Sequence, residues 1–150
     1  MQGSVSAIFL KLDSAIRNCG ITIVMGTLDE LNEKFEESFD KKIEKFIVSE
    51  SCKHFKVSVS DVLTSADLYG QPLVARNMCV VLMNTHLKEY SKLKIAKVLK
   101  KETRKSVYSA LDGFMQMNRK IKHEREFLDA YEVLNSAIET YRTQLTLVNK

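Results

Sequence analysis

Few residues in this chain can interrupt a helix: one proline and five glycines in 150 residues. With 45% of residues apolar and 28% charged, this excludes a disordered or low-complexity chain. It leaves one domain with an appendage as the expected organisation. Cysteine is scarce too. Cys19, Cys52 and Cys79 stand far apart, with no CxxC or Cys/His spacing, so neither a disulfide framework nor a structural zinc site is indicated. Buried thiols in a reducing compartment are the plain reading. No run of about 18 apolar residues occurs. The opening MQGSVSAIFLKLDSAIRN carries a lysine and an aspartate inside its apolar pattern, unlike a signal peptide. The expectation is a cytoplasmic protein without membrane contact, nucleoid-associated if it binds DNA.

The motifs of catalysis are missing as well. There is no GxxxxGK[ST], no HExxH and no GxSxG. His54, His86 and His123 have no ligand spacing, and Met78, Met83, Met115 and Met117 read as core filler. The acids Glu30, Glu33, Glu36, Glu37 and Asp40 read as the solvated face of a helix opposite Phe35 and Phe39. No enzyme, nucleotide site, metal or cofactor is expected.

What the chain does have is uneven charge. Its formal net charge is +4, yet residues 88 to 125 hold twelve lysines and arginines against four acids. The remainder holds eleven against fifteen. Such a local excess makes a field that attracts polyanions, which scattered lysines do not.

Helical periodicity accounts for most of the chain. Val5, Ile8, Phe9, Leu12, Ile16 and Cys19 share one face, followed by ITIVM at 21–25, a short β-branched run that favours an extended strand. Leu28, Leu31, Phe35, Phe39, Ile43 and Phe46 mark a long amphipathic helix reaching Ser49 or beyond, with Thr27 and Glu30 at capping-box spacing. KVSVSDVLT reads as an extended link and a small helical turn. SADLYGQP (65–72) is the clearest loop, since Gly70 and Pro72 both interrupt helix. The nearly continuous apolar span Met78 to Met83 predicts a central helix over 73–88. Ser91 can cap a short helix carrying Leu93, Ile95, Ala96, Val98 and Leu99. Beyond KKET, the spacing of Val107, Ala110, Leu111, Phe114, Met117 or Asn118, and Ile121 predicts another. Phe127, Tyr131, Leu134, Ile138, Tyr141 and Leu145 form a final stripe suited to docking on the same domain or to a coiled-coil seam.

KVLKKETRKSVYSAL (97–111) is the point of functional interest. A helix-turn-helix lays one short helix across the DNA backbone and leads the next, N-terminus first, into the major groove. Core-facing Val107, Ala110, Leu111 and Phe114 would turn Arg104, Lys105, Tyr108 and Asp112 to solvent. Thr103 suits an N-cap. Arg104 and Lys105 could donate to guanine edges or phosphates, and Tyr108 could meet a thymine methyl or a phosphate. Lys92, Lys94, Lys100 and Lys101 would clamp the backbone.

The order of these features resembles the C-terminal DNA-binding domain of the bacterial chromosomal replication initiator DnaA. That all-helical domain has a fold similar to the Trp repressor. The resemblance covers residues 48–141: FKVSVSDVLT, a loop, VARNMCVVLMNTHLKEYS as central helix, then KLKIAKVLKKETRKSVYSAL. Ala75, Arg76, Ser91, Ile95, Val107 and Ala110 fit the family's outline. Where the family has elbow glycines this chain has Lys100 and Lys101. Where it has arginine, aspartate, histidine and threonine for reading its DNA box, this chain has Glu102, Thr103, Arg104 and Lys105. Ser106 alone keeps a small hydroxyl near the second threonine. The family's basic loop corresponds to SADLYGQPLVAR, nearly uncharged before Arg76.

The resemblance implies a mainly α, helix-turn-helix bundle over 48–150, preceded by an extension at 1–47. It implies double-stranded DNA as partner, in replication or transcription control, with Arg76, Lys92, Lys94, Lys100, Lys101, Thr103, Arg104, Lys105, Ser106 and Tyr108 as contacts. The rival is a protein-interaction or oligomerisation module, a homodimer among the options, that keeps the scaffold without reading DNA. Single-stranded nucleic acid is a lesser option, since Tyr108 alone is a candidate stacking residue.

Overall fold

The computed structural model describes residues 38–100 and 103–148. These contain six α-helices and no strand. The chain divides into two compact units, 1–38 and 39–150, and the described helices belong to the second. The first-helix pattern from Val5 and the extended expectation at 21–25 lie outside the described residues.

Helix α1 runs Phe39–Phe55. Its apolar positions bury Ile43, Ile47, Val48 and Cys52, so the expected division at 47/48 falls inside one continuous helix. It ends in a double closure: Val57 N–H donates to the Cys52 carbonyl (3.0 Å) and Lys56 N–H to that of Lys53 (3.2 Å). This is the Schellman pattern, whose left-handed position usually belongs to glycine; here Lys56 holds it at φ 58°. A single turn, α2 (Val59–Val62), follows, capped by Ser58, whose Oγ accepts from Asp61 N–H at 3.1 Å.

Gly70, at φ 64°, turns the chain into α3 (Gln71–His86), with Pro72 in its first turn. There proline removes no helical hydrogen bond. Helix α3 packs against each of the other five, which explains why Met78 through Met83 are all buried. Helix α4 (Lys92–Val98) begins at Ser91, whose Oγ accepts from Lys94 N–H at 3.1 Å. It closes at Lys100, a second lysine at positive φ (59°), whose N–H bonds the Lys97 carbonyl.

Helix α5 (Arg104–Met115) ends earlier than its apolar spacing predicts. Periodicity reaches Ile121, but side chains take over the backbone donors first. The Glu124 carboxylate accepts from Asn118 N–H and the Asn118 side chain from Lys120 N–H, at 2.6 and 2.9 Å. Such side-chain turns compete with helix, and Ile121 is left 43% exposed. Helix α6 (Lys122–Val148) then lays its stripe on the core. Phe127, Leu134 and Ile138 are buried, Tyr141 stacks on Phe46 with ring centroids 4.0 Å apart, and Phe114 meets Phe127 and Tyr131. The stripe is therefore a docking surface onto its own unit.

Candidate functional site: a basic face on α4 and α5

Helix α5 presents the two faces its spacing predicts. Val107 is fully buried and Ala110, Leu111 and Phe114 pack against the core. Arg104, Lys105, Tyr108 and Asp112 are exposed, Tyr108 by 50%. Thr103 stands at the N-cap position with extended backbone but makes no side-chain cap. Instead the Ser106 hydroxyl donates to the Thr103 carbonyl at 3.1 Å. No side chain of Thr103 therefore occupies the first-turn N–H groups of α5, which are anion donors by position.

Beneath this tip lies a hollow of about 450 Å³ between α3 and α5, where Arg76, Asn77, Thr103, Lys105 and Ser106 come together. Arg76 is only 1% exposed. Its Nη1 donates to the Thr64 carbonyl at 3.0 Å, which ties the loop before α3 to that helix. Its Nε and Nη2 are buried without a partner. Burial pushes the guanidinium below its ordinary range, and the Asp67 charge partly offsets this. An arginine stays protonated in such a place. The result is a positive floor with two unfilled donors, a costly arrangement for a buried charge and one that an anionic oxygen would relieve. Arg76 thus stands apart from the solvent-facing set expected from the sequence.

The other expected contacts divide. The Lys92 ammonium donates to the Asn84 side chain. Lys94 sits over the Tyr90 ring, 4.0 Å from its centroid. Both hold α4 in place as well as charging it. Lys101 lies outside the described residues. Lys100 faces a separate cleft of about 430 Å³, where Lys97, Lys41 and Lys45 join it. The two α1 lysines were not singled out in the sequence; their spacing of four puts them on one helical face, but nothing local announces that α4 packs nearby. Glu44, 5% exposed, balances part of this charge. It accepts from Tyr90 Oη at 2.8 Å and pairs with Lys41 at 2.7 Å. Burial, then this carboxylate, raises the Tyr90 hydroxyl well above the ordinary phenol range. The pair anchors the α3–α4 connection to α1 and so sets where α4 stands.

Some of the formal excess is neutralised at once. Arg119 bonds Asp129 at 2.9 Å and also Glu132, both on α6. Among the described residues, no group of three or more histidine, cysteine, aspartate or glutamate side chains could hold a metal ion. No described helix is long and apolar enough to cross a membrane. Cys52 and Cys79 are free and buried; burial pushes the Cys79 thiol up to about 12. Comparison with known protein families, curated proteins and solved structures finds no match to this chain.

Proposed function

We propose that this protein binds double-stranded DNA through the α4–α5 elbow, used as a helix-turn-helix. The observation that carries the reading is the Arg76 hollow: a buried guanidinium with two unpartnered nitrogens under the uncapped start of α5, with Lys105 beside it. A backbone phosphate is the anion that suits this cradle. Exposed Arg104, Lys105 and Tyr108 supply the leading surface of α5, and Lys97 and Lys100 extend the positive field along α4. The altered elbow, with Lys100, Glu102, Arg104 and Lys105 in place of the initiator family's reading residues, favours phosphate-dominated contact over reading of that family's box.

The test is selection from a randomised duplex pool with the purified chain at several salt concentrations. A complex that weakens steeply with salt is expected; absence of any complex at low salt refutes the proposal. Arg104→Ala with Lys105→Ala should keep the fold and flatten the slope of log affinity against log salt by about 2.

A second reading, an interaction module on the same scaffold, draws on α6, where Val133, Leu147 and Val148 are 61%, 65% and 81% exposed. Light scattering measures it. A concentration-dependent dimer that Val133→Ser with Leu147→Ser abolishes, in a chain that binds no duplex, would favour this module.

A further inference from the structure

A further cleft of about 710 Å³ lies away from the charged elbow, where the end of α1, the start of α3 and the α5–α6 joint meet. Its size falls in the range of small-molecule sites. Phe55, Val74, Met117 and Phe127 line it, all packed against the core. Two aromatic rings, a thioether and a branched aliphatic make a surface that favours a flat, polarisable body over a flexible chain.

The polar groups around it combine one ammonium with side chains that can both donate and accept. His54, Lys56 and His123 are exposed and line the cleft, with the amides of Gln71 and Asn77; Glu126 is its one carboxylate. A polyphosphate would meet a single full positive charge and one opposing acid. A monocarboxylate would pair with Lys56, and Glu126 would remain to accept from a ring N–H or hydroxyl.

Lys56 carries further weight because of its backbone. It occupies the left-handed position of the α1 closure, at φ 58°, where an L-residue is strained and glycine is not. Residues held in such regions cluster at ligand sites. A lysine at this position lines the cleft at a cost in stability.

We propose that this cleft binds a small planar aromatic monocarboxylate, with the ring between Phe55, Met117 and Phe127 and the carboxylate on Lys56. The proposal stands independently of DNA binding.

The probes are 2-naphthoate and its uncharged isostere 2-naphthamide, titrated into the full chain and followed by two-dimensional NMR and calorimetry. One-to-one saturable binding of 2-naphthoate is expected, with shifts at His54, His123 and the start of α6, and roughly tenfold or greater preference over 2-naphthamide. Lys56→Gly should erase that preference while leaving the melting temperature unchanged or higher. Lys56→Gln, which keeps a side chain at the strained position, should erase it too. Equal affinity for acid and amide, shifts confined to α4 and α5, failure to saturate, or intact preference in both variants would overturn the proposal.

Discussion

The α1–α3–α6 body and the α4–α5 elbow are built on different terms. The central helix α3 buries nine residues, whereas α5 buries Val107 alone. Aromatic stacking, the His86–Asn135 hydrogen bond of 2.6 Å and the Arg142 guanidinium on the His86 carbonyl tie the body together. The elbow rests on Ile95, Ala96, Leu99 and Val107, with Ala110, Leu111 and Phe114 half-buried against the core and the Glu44–Tyr90 anchor behind α4. Most of the buried side chains lie in the first region, whereas the charges of the second are nearly all of one sign, with Asp112 the one acid among the described residues of α4 and α5. Because buried contacts set local opening energies, the elbow is expected to open before the body.

The sharpest way to break the contrast is Leu82→Ala. It removes a fully buried side chain from α3 and is expected to cost about 2–5 kcal/mol, read by chemical denaturation, with protection lost throughout the unit. Val107→Ala should cost less, about 2 kcal/mol. Its signature is local: amide exchange in α5 rises more than in α3, and a uniform rise would erase the distinction between the regions.

His86 sharpens the body's side of the comparison. Burial holds its imidazole below the ordinary range; the Asn135 hydrogen bond and Glu139 act against this, while Arg142 and Lys88 add to it. The folded chain therefore takes up the proton less readily than the unfolded one. Stability should be full above pH about 6.5 and decline as pH falls below it, levelling off once the folded ring is also protonated. In His86→Asn that decline should shrink across the same window; an unchanged pH profile would assign it to other groups. The smallest effect belongs to the elbow. Lys100→Gly relieves a left-handed lysine and should stabilise by about 0.5 kcal/mol while weakening duplex binding, so that fold and binding move in opposite directions.

The sequence carried the helices well wherever local chemistry decided them. Ser91 caps as its spacing suggests, the Met78 to Met83 run is the central helix, and α5 turns Arg104, Lys105, Tyr108 and Asp112 outward. The Phe127 to Leu145 stripe docks on its own unit. What escaped was set across the fold. Arg76 entered as a DNA contact through its place in the family outline, but its bond to the Thr64 carbonyl draws it inward. The end of α5 was hidden because Asn118 and Glu124 capture N–H groups that periodicity does not register. The 710 Å³ cleft joins three segments, and no one of them looks unusual alone.

Asn77 lines both the 450 Å³ hollow beneath α5 and the 710 Å³ cleft beside α6, so the two share a residue. An occupant of one hollow that turned Asn77 would alter the lining of the other. Were both proposed ligands to bind, reciprocity would make any such coupling equal in both directions: a factor that the aromatic acid imposed on anion affinity, the anion would return to the acid.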